Sequence, residues 1–213
     1  MNNFLLFLSA SFTTIELMLA ALLLDLFLAI IMTVSSTQYK TARCFINGFI
    51  FLFRGTPLLV QIFIIYYGSA QFVWLRESFL WFIFKQPFSC AVIALSLNSA
   101  AYTTVLLTGA LRSIPKGEIE ACKALGMAKF IMLRKIMLPR AIRVALPAYS
   151  NEIIMTLKNT SLAGAITIVD LTSITNKLIA QTYNVFTFIA ISGCIYLCLN
   201  ALIIGICRIF EKK

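Results

Sequence analysis

Long apolar runs alternate with short polar, mostly basic stretches along the whole chain. A membrane-spanning helix needs about 20 predominantly apolar residues. Runs of this kind define the predicted spans 12–34, 56–75, 88–111, 144–166 and 184–207. The pattern therefore predicts an all-α integral membrane bundle of about five transmembrane helices. We expect it to form a single transmembrane domain over residues 1–213.

The beginning of the second span leaves two interpretations open. Cys44–Phe53 is very apolar but short, and Arg54-Gly55-Thr56-Pro57 follows it. Proline has no N–H to donate and suits the first turn of a helix, so we begin the span at Thr56. Cys44–Phe53 is then either an interfacial helix or an extension of that span. The more polar segment Val169–Tyr183 is expected to lie outside the membrane.

Basic and aromatic residues orient the predicted bundle. A membrane–water interface is indicated by a belt comprising Trp74, Phe79, Trp81, Phe82 and Phe84. One predicted side carries Lys40, Arg43, Arg54, the basic residues of segment 112–143, Arg208, Lys212 and Lys213. The other carries Arg76, Lys85 and Lys177. Because the basic side is cytoplasmic, we predict a multi-pass membrane protein with its N-terminus outside and its C-terminus inside.

Composition narrows the chemistry further. Hydrophobic residues make up 61% of the chain and charged residues 12%, against about 25% charged in soluble domains. The net charge is +10, and its basic residues lie between the apolar runs. They therefore indicate membrane orientation and lipid contact, and we expect no nucleic-acid partner. There is no histidine and no Cys-x-x-Cys pair. We therefore predict no catalytic residue, no metal site and no disulfide.

Segment 112–143 carries the most specific motif. It reads Glu120-Ala121-Cys122-Lys123-Ala124-Leu125-Gly126, then nine residues, then Ile136-Met137-Leu138-Pro139. This predicts two short helices hinged at Gly126, because glycine accepts the positive φ of a helix C-terminus. Pro139 is expected to end or kink the second helix. The first helix either offers Ala121, Ala124 and Leu125 to a partner groove or lies on lipid phosphates.

Polar residues inside predicted spans are functional candidates, since exposing them to lipid is costly. Glu152, Lys158, Asn159, Thr160 and Ser161 fall in the fourth span, and Asn98 and Tyr102 in the third. Hydrogen bonding between helices is the competing interpretation. Asp25 lies in the middle of the first span, where it is protonated, paired with a cation, or loosely specified.

The motif in segment 112–143 resembles the EAA motif of ABC importer permeases, with Cys122 where the family has alanine. Further blocks resemble the polar amino-acid uptake subfamily: 54–61, 98–102, 112–117, 151–152 and 160–162. The resemblance implies the type I ABC importer permease fold. It also implies that a cleft on an ATPase receives the coupling residues Glu120, Ala121, Leu125, Gly126 and Pro139.

The same resemblance implies a function and a set of partners. The chain would be the non-catalytic permease of an importer for polar amino acids, with basic, arginine-like ones among the candidates. Its partners would be a second permease, identical or paralogous, an ABC ATPase dimer and a periplasmic amino-acid-binding protein. Because the chain has no Gly-x4-Gly-Lys-Ser/Thr loop, ATP and magnesium would be held by the ATPase.

The resemblance also implies a substrate site. It would involve Asn98 and Tyr102, with Glu152 and Asn159 near the amino or side-chain end of the substrate and Ser161 near its carboxylate. Permeases for basic amino acids often carry aspartate at the position of Asn159, so this residue weakens the case for a basic substrate. The alternative function is a stand-alone ion-coupled carrier or channel. Inverted repeats or rings of charge would favour that alternative, and the sequence shows neither.

Overall fold

Helices make up nearly all of the computed structural model, which describes residues 3–211. In chain order they are α1 (Asn3–Gln38), α2 (Lys40–Gly55), α3 (Leu58–Phe63), α4 (Val73–Arg76), α5 (Trp81–Phe84), α6 (Pro87–Arg112), α7 (Lys116–Ala124), α8 (Lys129–Met132), α9 (Leu138–Asn159), α10 (Leu171–Thr182) and α11 (Val185–Glu211). The all-α prediction is confirmed. Lys212 and Lys213, on which the predicted orientation partly rests, lie outside the described residues.

Three of the described helices, α1, α6 and α11, are long and apolar enough to cross a membrane, and two bent helix pairs raise the number to as many as five. Burial distinguishes the long helices, because 67% of the most apolar stretch of α6 is buried, against 39% for α1 and 6% for α11. Helix α6 is therefore the centre of the bundle, and α11 leaves most of its surface for lipid or a partner.

The second predicted span is broken at its start. Helix α2 meets the next helical segment, Leu58–Gly68, at an angle of 107°. Cys44–Phe53 therefore lies in a separate helix that turns sharply into Leu58–Gly68, and both its interfacial position and its share in a broken span stay predictions. The predicted end at Leu75 is wrong, since the helix ends with a π-helical turn at Ile64–Gly68. Glycine and the strained π turn both weaken helix propagation there.

The fourth predicted span begins earlier than expected. One helical segment runs from Lys129 to Ile166, with a π-helical turn at Leu133–Met137 and a 3₁₀ turn at Thr160–Ile166, and it meets Leu171–Thr182 at an angle of 52°. Pro139 therefore does not end the helix; it lies in the first turn of α9. Proline cannot bond the carbonyl four residues earlier, and the turn before it widens to π geometry instead of breaking.

Helix α10 fills the segment predicted to be more polar, Val169–Tyr183. Its apolar face, Leu171, Ile174 and Leu178, is buried in a cluster with Phe7 of α1 and Phe188 of α11. At its N-terminus the Asp170 carboxylate accepts hydrogen bonds from the backbone N–H groups of Thr172 and Ser173. The segment is thus an integral part of the bundle, and its depth relative to the membrane stays a prediction.

Candidate coupling surface and membrane polar site

Helix α7 ends at Gly126 through its backbone geometry. The φ of Gly126 is +72°, in the left-handed region that side chains disfavour. Its N–H donates to the carbonyl of Lys123 at 2.9 Å, and the N–H of Met127 donates to Cys122 at 3.1 Å. This pair of bonds is a Schellman motif, which satisfies the last carbonyls of a helix. The predicted break at Gly126 between two helices is confirmed, but the second helix is not short, since it continues to Ile166.

One face of α7 is anchored and the other is free. Cys122 is buried, and Ile119 packs against an apolar cluster of α1, α6 and α9. Glu118 also forms an ion pair with Arg140 of α9. The departure from the EAA pattern at Cys122 therefore lies on the inward face, where a small thiol packs as a hydrophobe.

The outward face contains the residues expected to couple to a partner. Glu120 and Ala121 are exposed, and Leu125 is 80% exposed although it is a large apolar side chain. Pro139, at the start of α9, is exposed as well. An anchored helix that presents an apolar residue beside a carboxylate can dock into a partner's groove. The alternative contact with lipid phosphates uses the same face.

Asp25 of α1 is the centre of a buried polar network. Its side chain is fully buried, and its Oδ2 accepts hydrogen bonds from Ser99 Oγ and Thr103 Oγ1 of α6, each at 3.1 Å. The hydroxyl of Tyr149 in α9 donates to the same oxygen at 3.4 Å. Oδ1 has no hydrogen-bond partner among the described residues. Three hydroxyl groups thus hold the Asp25 carboxylate in position.

Glu152 joins this network through Ser99. The Ser99 hydroxyl lies 3.0 Å from Glu152 Oε1 and 3.4 Å from Thr156 Oγ1. A serine hydroxyl carries one hydrogen, so it donates to either Asp25 or Glu152 at any moment. The two carboxylates, one on α1 and the other on α9, therefore compete for one donor on α6.

Asn98 lies on the neighbouring stripe of α6 and holds the corner between α2 and α3. Its Nδ2 donates to the carbonyl of Phe53 and to Gln61 Oε1, both at 3.0 Å. Gln61 in turn donates to Phe53 and Thr56. These bonds satisfy carbonyls that the 107° break would leave without partners. Asn98 therefore makes hydrogen bonds between helices, as the competing interpretation of the polar residues predicts.

Tyr102 follows Asn98 by one helical turn and faces Arg54. The guanidinium carbon of Arg54 lies 4.8 Å from the centre of the Tyr102 ring, which is a cation–π contact. Arg54 also interacts electrostatically with Glu152. Arg54 therefore interacts both with the Tyr102 ring and with the charge of Glu152.

The remaining candidates lie around the end of α9. Asn159 is its last residue and is half-buried, and Ser161 donates to the carbonyl of Lys158 at 2.6 Å. Thr160 is fully buried. Lys158 is exposed and forms no ion pair within residues 3–211. The substrate contacts assigned to Asn159 and Ser161 stay predictions.

Several members of the network escaped the sequence analysis: Gln61, Ser99, Thr103, Tyr149 and Thr156. Spacing offered a usable signal, because Ser99 and Thr103 are four residues apart on one helix, as are Glu152 and Thr156. No group of three His, Cys, Asp or Glu residues in the described part of the chain could hold a metal ion.

Comparison with known proteins places this arrangement in context. A family model described as binding-protein-dependent transport system inner membrane component matches residues 25–213. The octopine transport system permease protein OccM of Rhizobium radiobacter is 48% identical over 163 residues, which cover 76% of this chain and 66% of that protein. The chain thus spans just under two thirds of that relative.

Two further similarities cover more of the molecules compared. The arginine ABC transporter permease protein ArtM of Haemophilus influenzae is 43% identical over 202 residues, 94% of this chain and 88% of the relative. The crystal structure of an amino acid ABC transporter with histidines has a TM-score of 0.84 and 28% identity, covering 97% of this chain and 93% of the other. The MetNI methionine ABC transporter, with a TM-score of 0.74 and 17% identity, shares the fold.

Proposed function

This chain belongs to the family of binding-protein-dependent transport system inner membrane components, and we propose that it is the permease subunit of an ATP-driven amino-acid importer. The observation that carries the proposal is helix α7, whose Glu120 and Leu125 are exposed on a helix anchored from behind. The subunit performs no covalent chemistry. It forms the translocation pathway and passes movements of the ATPase to the spans.

The proposed complex follows from the family. Two permeases, identical or paralogous, form the pathway, and an ABC ATPase dimer binds to their α7 helices. A periplasmic binding protein delivers the amino acid on the opposite face. The coupling residues are Glu120, Ala121, Leu125, Gly126 and Pro139. The protein is a multi-pass inner-membrane protein, and we assign the N-terminus to the outside and the C-terminus to the cytoplasm.

The proposed substrate is a polar amino acid with an arginine-like side chain. Relatives named for arginine and octopine support this class. The two carboxylates of Asp25 and Glu152 near one hydroxyl of α6 favour a cationic ligand over a neutral one. Asn98, Tyr102, Glu152, Asn159 and Ser161 are the proposed substrate-binding residues.

The test is purification of the tagged chain in mild detergent, with its partners identified by mass spectrometry. A P-loop ATPase should be recovered with the wild-type protein and lost in Glu120→Lys, because the substitution reverses a charge on the docking face. Glu77→Lys is the matched control, since Glu77 is also exposed but lies near the aromatic belt between α4 and α5. Recovery of the chain alone, with ATP-independent transport in liposomes, would instead support the carrier.

Orientation has its own test. Single cysteines placed at Asn3 and Lys213, in a variant without the native thiols, would be labelled by a membrane-impermeant maleimide in intact cells. Labelling at Asn3 and protection at Lys213 are expected from the distribution of basic residues. Labelling of both positions from one side would contradict the assigned orientation.

A further inference from the structure

Asp25 lacks a positive partner. Its carboxylate is fully buried, and within residues 3–211 it makes no ion pair. Its Oδ2 is satisfied by hydroxyls of Ser99, Thr103 and Tyr149, while Oδ1 has no hydrogen-bond partner in the described structure. Burying a carboxylate with only neutral donors is costly. Its ionised form is therefore disfavoured on its own, and a cation bound nearby would stabilise it.

The charged groups around Asp25 leave a negative surplus. The Glu152 carboxylate is two hydrogen-bond lengths away through Ser99. Arg54 is the cation whose charge acts on Glu152. Two carboxylates and one guanidinium give the cluster a net charge of −1 when all three are ionised. Without Asp25 the cluster would be neutral.

Asp25 also orients the bridging hydroxyl. Thr103 and Tyr149 fix the carboxylate from α6 and α9, so its Oδ2 is a fixed acceptor for Ser99. The same Ser99 oxygen contacts Glu152, which is half-buried on α9. A change at Asp25 therefore reaches Glu152 through one side chain.

We propose that Asp25 is a specificity-determining positioning residue, which holds Ser99 against Glu152 and supplies the negative charge that makes the site prefer cationic amino acids. The inference rests on the proposed function and assigns a substrate class to the same site. A charge roughly 10 Å from a ligand cation, in the effective dielectric of a protein, changes affinity by about tenfold.

The experiment measures direct binding to the purified permease–ATPase complex in nanodiscs, without the binding protein, so that only the selectivity of the membrane site is read. Radiolabelled arginine is compared with citrulline, whose urea group has a similar shape and no charge. The wild type should prefer arginine by about tenfold or more, and Asp25→Asn should lower that preference by about tenfold. An unchanged preference in Asp25→Asn would overturn the inference.

Controls separate charge from folding. Thr33→Val is the matched control, because Thr33 is also fully buried on α1 and its hydroxyl has no partner in the described structure. It should keep the wild-type preference. Ser99→Ala decides the matter if Asp25→Asn fails to insert, since it keeps Asp25 and cuts its link to Glu152. A preference lowered several-fold would support the positioning of Glu152 through Ser99, and a wild-type preference would overturn that positioning role.

The proposed function fails in a different way. If the wild-type chain recruits no ATPase and binds neither amino acid, the importer assignment itself is contradicted. If the complex forms, binds arginine and shows the same preference with and without Asp25, only the inference about Asp25 is lost. Glu152→Gln provides the reference for a direct contact, and should weaken arginine binding at least as much as Asp25→Asn.

Discussion

Helix α7 and the Asp25 network place polar and apolar groups in opposite ways. In α7, an apolar side chain, Leu125, is 80% exposed beside an exposed Glu120. In the network, a carboxylate of α1 is fully buried among three hydroxyls of α6 and α9. Both arrangements cost stability in the isolated chain. The exposed apolar residue of α7 thus favours contact with another protein, whereas the network finds most of its hydrogen-bond partners within the chain.

The largest expected effect comes from Leu125→Lys. Lysine suits the C-terminal end of a helix, so α7 should stay folded while its apolar docking residue is lost. Losing a central contact of an interface costs about 2 kcal/mol or more, so uptake by the reconstituted importer should fall about thirtyfold or more. The thermal unfolding midpoint in detergent should change little, because surface substitutions are usually within about 0.5 kcal/mol.

The matched variant for that test is Cys122→Lys, three residues away on the buried face. It should lower the unfolding midpoint, because a buried charge has no partner there. Any loss of coupling should follow from that loss of stability. If Leu125→Lys transported at the wild-type rate, the claim that the exposed face of α7 needs a protein partner would be contradicted.

A smaller effect is expected from Asn98→Leu, which tests the interior. The substitution keeps a branched, uncharged side chain but removes the donor to Phe53 and Gln61. The free energy of unfolding should fall by about 1–2 kcal/mol, because two hydrogen bonds that contribute about 0.5–1 kcal/mol each are lost. Differential scanning fluorimetry of the purified chain measures it.

Ser96→Ala is the control for that prediction. Ser96 is also buried in α6, but its hydroxyl donates to Ile93 within the same helix. It should change the unfolding midpoint much less. Equal midpoints for Asn98→Leu and the wild type would show that the corner between α2 and α3 is held by something other than this amide.

The smallest effect is expected from Gly126→Ala. Alanine at a φ of +72° costs about 1–2 kcal/mol locally. That should misalign the end of α7 and lower uptake by about fivefold. Gly117→Ala is the control, since a Cβ there meets nothing within 4 Å and alanine favours a helix interior. Wild-type uptake in both variants would mean that the Schellman end of α7 does not matter for coupling.

The same contrast explains what the sequence could predict. The coupling helix was predictable because Glu120, Leu125 and Gly126 form one contiguous motif whose geometry is local. The network was not, because Asp25 meets partners 74, 78 and 124 residues away in the chain. Periodicity places a residue on a helix face, but it does not say which other helix that face meets.

The errors in the predicted spans have a similar origin. Hydropathy was sufficient to find α1, α6 and α11, each an unbroken apolar run. It missed the end of the second span at Gly68 and the continuation of the helix through Pro139. Both depend on π-helical turns, at Ile64–Gly68 and Leu133–Met137, in which the hydrogen-bond pattern of the backbone changes. Average hydropathy over a window cannot register such a change.

The corner between α2 and α3 has a consequence for biogenesis. Its carbonyl at Phe53 is bonded by Asn98, which lies 45 residues later in the chain. During synthesis α2 and α3 leave the ribosome before α6 exists, with Gln61 as the local donor at the bend. The 107° corner therefore gains its second donor only when α6 packs against it. We expect the corner to be less firmly held in the nascent chain until α6 has been made.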